Sequence, residues 1–130
     1  DEYINNSVVY TGTHDNDTLQ GWFNSLPIKS NNEKDLTKDK LLQEFNCTNE
    51  NIHWEIIDYA LSSNCNIVMI PVQDILGKDS SSRFNMPGTL NLDNWSWRMR
   101  EAELTKSLKT KLAKLTSKNN RNTYDIIHKI

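Results

Sequence analysis

Thr11-Gly12-Thr13-His14-Asp15-Asn16-Asp17-Thr18 gathers carboxylate, imidazole, amide and hydroxyl groups directly after the apolar run Val8-Val9-Tyr10. A β-branched run that stops at such a cluster predicts a buried strand delivering polar side chains into a cleft, as α/β enzymes place their catalytic groups. A carboxylate at a strand's end is poorly solvated and needs partners for its charge, which a polyhydroxylated ligand can supply. Asp15 is the candidate for that work. Asp17 has a second reading, as the N-cap of a helix in which Gln20 takes the reciprocal position and Trp22 and Phe23 form the apolar face. A calcium loop does not fit, because Leu19 stands where a third oxygen ligand belongs and Leu26 where the closing Glu belongs.

Asn66-Ile67-Val68-Met69-Ile70-Pro71-Val72-Gln73-Asp74 repeats the design, an apolar run closing on an amide and a carboxylate. Pro71 cannot donate to a ladder and belongs near the strand's end. Next come the turn-forming loop Arg83-Phe84-Asn85-Met86-Pro87-Gly88-Thr89 and then Asn94-Trp95-Ser96-Trp97-Arg98. Trp95 and Trp97 would share a face if extended, giving either an aromatic stacking surface for a ligand or core packing. Arg83 and Arg98 suit either a ligand hydroxyl or a salt link that fixes the loop.

The two strands need helices to position them. Apolar spacing predicts helices over 17–26, 35–45, 50–63 and 101–118, the second and third covering the sheet. The chain from Thr13 to Asn66 then forms a right-handed crossover enlarged by an extra helix, with the strands parallel. His53 is expected on the outer surface of the third helix, and Trp54 and Tyr59 are packing aromatics. On the last, Leu104, Leu108, Leu112 and Leu115 form a stripe suited to covering a sheet. That stripe is too short for a coiled coil and lacks the aromatic anchor of a membrane-surface helix. Ser117 to Thr123 reads as a polar break and Tyr124 to Ile130 as a last helical turn or a truncated element.

Taken together, Tyr10-Thr11-Gly12-Thr13-His14-Asp15-Asn16-Asp17-Thr18, Pro71-Val72-Gln73-Asp74, Arg83-Phe84-Asn85-Met86-Pro87-Gly88 and Asn94-Trp95-Ser96-Trp97-Arg98 resemble the C-terminal part of the amylomaltase family. These are 4-alpha-glucanotransferases, or disproportionating enzymes, related to alpha-amylases. The likeness runs in one order from about Val8 to about Arg98. It implies retaining transfer of alpha-1,4-glucan segments between maltooligosaccharides inside a (β/α)8 TIM barrel, using an Asp nucleophile, a Glu acid/base and a second Asp that holds the sugar. Only that second Asp has a match here, Asp15, which the resemblance casts as bonding the 2- and 3-hydroxyls and favouring the distorted ring. His14 is similar to a sugar-binding His, and Asn85 matches a substrate-contacting position. Arg83, Gln73 and Trp95 complete the expected substrate contacts. The stretch Lys78-Asp79-Ser80-Ser81-Ser82 departs from the family, in which a second Gly and a Glu often precede the Arg, so the geometry at Arg83 and Asn85 is the least transferable part.

A full barrel needs about 200 residues at least, and this chain has 130. The expected fold is therefore α/β, the last two βα units of an alpha-amylase-type barrel. Residues 1–130 would be the C-terminal part of a single catalytic domain whose nucleophile and acid/base lie on earlier strands. The chain begins without Met, and Asp1 and Glu2 in the polar lead-in are not candidates for those roles. Alone it is expected to be inactive.

A net charge of -2 gives no electrostatic reason to expect nucleic-acid binding, and no apolar run approaches the roughly 20 residues of a membrane helix. Cys47 and Cys65 flank a predicted helix that holds them roughly 20 Å apart, too far for a disulfide, and lack metal-ligand spacing. No metal or cofactor is implied. Of the Asn-x-Ser/Thr sites at Asn5, Asn16, Asn46 and Asn94, two fall inside the expected site, where a glycan would block it, which favours the cytoplasm.

A related alpha-glucan hydrolase, differing in whether water or a sugar hydroxyl meets the covalent intermediate, and a carbohydrate-binding domain without catalysis are the alternatives. All sugar-transfer readings require parallel strands and an Asp15 carboxyl that is not turned out to bulk solvent.

Overall fold

The computed structural model describes residues 6–122. Two strands, β1 (Val8–Tyr10) and β2 (Ile67–Met69), pair in parallel with Val8 opposite Ile67 and Tyr10 opposite Met69. A parallel pair cannot be closed by a tight turn, and three helices fill the crossover: α1 (Leu19–Ser25), α2 (Lys38–Glu44) and α3 (Ile52–Ser62). After β2 come a short helix α4 (Val72–Ile75), 3-10 turns at Ser80–Ser82 and Glu101–Glu103, and α5 (Lys106–Lys118). Among the described residues no helix is long and apolar enough to cross a membrane. The reading of 124–130 lies outside the described residues, as do Asp1 and Glu2.

The helix starts are set by threonines. Thr18, Thr37 and Thr105 each lie in extended backbone and accept a bond from the amide three residues on, at Gly21, Lys40 and Leu108, which satisfies one of the donors every helix leaves open. Thr18 therefore replaces Asp17 as the N-cap of α1, and Gln20 bonds Asn24 instead of reaching back. Asp17 cannot cap because its carboxylate is drawn to Thr18 N, Ser80 and Arg83.

Two apolar clusters hold the helices. Trp54, Ile57 and Leu61 of α3 with Leu19 form one, against which Val68 and Ile70 of the second run and Leu108, Leu112 and Leu115 of α5 pack. Val68 and Ile70 thus pack toward α3, and the leucine stripe of α5 packs on that same cluster rather than on the strands it was expected to cover. The other cluster joins Phe23, Leu41 and Ile52, so α2 packs on α1 and α3 and does not cover the strands as expected. Arg121 fastens the end of the described chain, bonding the carbonyls of Leu61, Ser63 and Cys65.

The strands are not buried on both faces. Val9 and Val68 are half-buried, whereas Val8, Tyr10, Ile67 and Met69 are exposed. Successive strand side chains point to opposite faces, and among the described residues helices cover only one of them.

His53 is the other correction. It is buried, with Gly77 packed so close that a Cβ there would sit 2.9 Å from Nε2. Position 52 opens α3 and the buried set Ile52, His53, Trp54 and Ile57 spans a broad arc of its surface, wide enough to include an imidazole. Gly77, at φ +62°, is the residue type that both the left-handed turn and the close approach require.

Candidate active site

The segment from Thr11 to Thr18 leaves β1, crosses the end of the strand pair and enters α1. It turns tightly on itself: Asn16 Oδ1 accepts from both the amide and the hydroxyl of Thr13, and Asn16 N donates to Thr13 O. This Asx arrangement holds His14 and Asp15 at the tip.

Asp15 divides its carboxylate between two neighbours. Oδ1 accepts from Asn85 Nδ2 at 2.7 Å, and Oδ2 lies 3.3 Å from His14 Nε2. The side chain is 50% exposed, so the carboxyl is held by protein on one side and open on the other. His14 lies against Trp95 with ring centroids 5.1 Å apart and planes tilted by 36°, and Trp95 meets Phe84 edge-on at 5.2 Å. Trp95 has a left-handed backbone, φ +64°, and its amide donates to Phe84 O at 2.7 Å. An aromatic residue in that region is strained. Because of this turn, Trp95 and Trp97 do not lie on one extended face, which corrects the expectation for the pair. Trp95 is exposed beside His14, Trp97 is half-buried, and Arg98 bonds the carbonyls of both.

Arg83 is committed to the loops. Its guanidinium donates to Asp15 O at 2.9 Å and Asn85 O at 3.3 Å and lies 3.7 Å from Asp17 Oδ2. In the segment that departs from the family, Ser80 donates to Asp17 Oδ2 at 2.8 Å and fits against Gly21, where a Cβ would overlap Ser80 Oγ.

Beside this cluster opens a cleft of about 610 Å³. His14, Arg83 and Gln73 line it, together with the exposed strand residues Tyr10 and Met69. Asp15, Asn85 and Trp95 are not among its walls and stand next to His14 at its edge. Five of the six expected residues, His14, Asp15, Arg83, Asn85 and Trp95, are thus brought together. Gln73 joins them only through the wall of the cleft, where it is buried and donates to Ser82 O at 3.4 Å.

Asp74 was not among the expected site residues, although it closes the second apolar run. It is 1% exposed and accepts from Thr11 Oγ1 and from Leu19 N, each at 2.8 Å. Burial pushes its carboxyl above the usual range, the bonds from Leu19 and Thr11 pull it back, and the charge of Asp17 adds to the rise. Among the described residues no group of three or more His, Cys, Asp or Glu could hold a metal ion, and Cys47 and Cys65 are free.

The sequence pattern of the family described as 4-alpha-glucanotransferase matches residues 1–105. A 4-alpha-glucanotransferase of Synechocystis is 42% identical over 120 residues, covering 92% of this chain and 22% of that protein. The chloroplastic/amyloplastic enzyme of Oryza sativa is 48% identical over 108 residues, 83% of this chain and 17% of its own length. The amylomaltase from Streptococcus agalactiae in complex with acarbose superposes with a TM-score of 0.81 at 32% identity, covering 93% of this chain and 23% of that one. The chain spans about a fifth of the length of these relatives. On residues and backbone alike, it belongs to the 4-alpha-glucanotransferase family.

Proposed function

We propose that this chain forms the last two βα units of a (β/α)8 barrel that transfers alpha-1,4-glucan segments between maltooligosaccharides by a retaining double displacement. Residues 1–130 lie within one catalytic domain in this reading, and the Asp nucleophile and Glu acid/base come from other strands of it. The observation that carries the proposal is the half-open carboxylate of Asp15, held by Asn85 and His14 beside the exposed ring of Trp95. The acarbose bound by the Streptococcus agalactiae amylomaltase, a polyhydroxylated oligosaccharide mimic, supports the ligand class.

As the scissile bond breaks, positive charge develops on the sugar ring, and hydrogen bonds to its 2-hydroxyl strengthen, contributing several kcal/mol in glycosidases. A fixed carboxylate meets that demand better than a neutral amide. Asp15 is assigned this role, His14 and Asn85 flank the same hydroxyls, and the face of Trp95 packs on a glucose C–H face. Arg83 positions the loops around them, and Gln73 serves the adjoining cleft. The names of the relatives favour transfer over hydrolysis. Since a glycan on Asn16 or Asn94 would obstruct the site, we assign the enzyme to the cytoplasm, with a plastid as the counterpart suggested by the rice relative.

In the full-length enzyme, Asp15→Asn lowers turnover on maltotriose far more than it weakens glucan binding. An unchanged turnover number removes Asp15 from the catalytic list. Wild-type enzyme converts maltotriose into a ladder of longer oligosaccharides plus glucose; simple shortening replaces the transferase by a hydrolase.

A further inference from the structure

The loop that carries His14 and Asp15 leaves β1 at Thr11 and enters α1 at Leu19. Both ends are bonded to a single carboxylate. Asp74 Oδ2 accepts from the Thr11 hydroxyl and Asp74 Oδ1 from the Leu19 amide, each at 2.8 Å, across 63 and 55 residues of chain. We propose that Asp74 is a positioning residue for the transfer reaction: it clasps the two ends of the 12–18 loop and so fixes how Asp15 is presented to the sugar. The inference rests on the role given to Asp15 above.

The clasp is rigid where it needs to be. Asp74 lies on α4, whose first turn is closed by bonds from Asp74 N and Ile75 N to Pro71 O, directly after β2. A nearly fully buried carboxylate with two short bonds has little freedom, so the spacing between the loop's ends is set by the strand pair. Leu19 N is one of the amides that the start of α1 leaves open, and Thr18 Oγ1 supplies the partner for Gly21 N. Neither Thr18 nor Asp17 reaches the Leu19 amide. Arg83 adds further ties to the loop at Asp15 O and Asp17. With both ends, Asp15 O and Asp17 held, the tip can move only by breaking bonds, and a displacement near 1 Å at a reacting group can cost about a hundredfold in rate.

The test uses the full-length enzyme and maltotriose. Asp74→Ala removes both bonds. Asp74→Asn keeps them, with the amide donating to Thr11 Oγ1 and its oxygen still accepting from Leu19 N. Thr11→Val cuts one end, and Thr11→Ser retains it. Expected are turnover losses on the order of tenfold or more for Asp74→Ala and several-fold for Thr11→Val, with donor KM changed less than about twofold. The Asn and Ser variants stay near wild type. In an Asp15→Asn background the Thr11→Val change costs markedly less than it does in the wild type, since the clasp acts chiefly through Asp15. Wild-type turnover in Thr11→Val, equal losses in Thr11→Val and Thr11→Ser, or full additivity with Asp15→Asn overturns the proposal. If Asp15→Asn itself has wild-type turnover, the role of Asp15 falls first; if it is impaired while Thr11→Val is not, only the clasp falls.

Discussion

Asn85 donates its side-chain amide to the carboxylate of Asp15 at 2.7 Å, joining positions 70 residues apart. The bond spans the two loops that follow the two strands, so the presentation of the site carboxylate depends on the loop after β2 as much as on its own. It also occupies one oxygen of a group proposed to bind sugar hydroxyls, and leaves the exposed side open for them.

Replacing Asn85 by Ala removes that donor without adding charge. Hydrogen bonds to charged groups contribute about 1.5–3 kcal/mol, and the half exposure of Asp15 puts this one at the low end. Turnover of the full-length enzyme on maltotriose is expected to fall by roughly five- to tenfold. Asn85→Asp sets a second carboxylate against the first and costs more than Ala does. Steady-state kinetics of both variants decides it, and an Ala variant as fast as wild type would show the bond to be incidental.

Gly21 carries an opposite sign from ordinary helix chemistry. A Gly in a helix interior is normally improved by Ala by up to about 1 kcal/mol. Here the added Cβ would overlap Ser80 Oγ and come within 2.5 Å of Asp17 Oδ1, displacing the contact that braces α1 against the Ser80–Ser82 turn. Gly21→Ala is expected to lower the melting temperature by a few degrees, an overpacking cost of about 1–3 kcal/mol. Adding Ser80→Gly gives part of it back. Calorimetry on the two variants reads the sign, and a raised melting temperature in Gly21→Ala alone contradicts the packing described.

Local pattern was enough to find the two strands and the helices of the crossover, but not α4, whose Val72–Ile75 read as the end of the second apolar run. The two apolar runs and the leucine stripe of α5 follow from residue spacing, because each is fixed by which side chains must leave water, and the parallel pairing follows from the long helical connection between the runs. Asp15, His14 and Asn85, the positions the resemblance singles out, lie together. What spacing could not show was which distant group completes a local need. Asp17 looked like the cap of α1, yet Thr18 takes that place and the carboxylate that bonds Leu19 N is Asp74, 55 residues on. The left-handed turn at Trp95 leaves no trace in residue type, since nothing marks a tryptophan for positive φ. The strands read as buried on both faces because sequence records hydrophobicity and not which neighbours are at hand to cover it.

His53 shows the same limit and yields a pH prediction. Burial, with the charge of Lys111 second, lowers its pKa from 6.5 to about 4, and its buried Nδ1 meets no hydrogen-bond partner among the described residues. The folded state therefore holds the ring neutral. Between pH 6.5 and about 4 the unfolded chain takes up a proton that the folded chain refuses, so stability is full above the upper value and falls as pH drops through the window. Allowing for water at the ring edge, the loss between neutral pH and pH 5 is about 1 kcal/mol. His53→Gln has no such proton to take up. Thermal melts of wild-type and His53→Gln full-length enzyme at both pH values should show the wild type losing more on acidification, and equal losses in the two would mean that the imidazole is reached by protons in the fold. Because His53 packs against Gly77, just beyond α4, the acid-side loosening acts on the element that carries Asp74. Loop 12–18 is accordingly expected to lose proteolytic protection in the wild type sooner than in the Gln variant as pH falls.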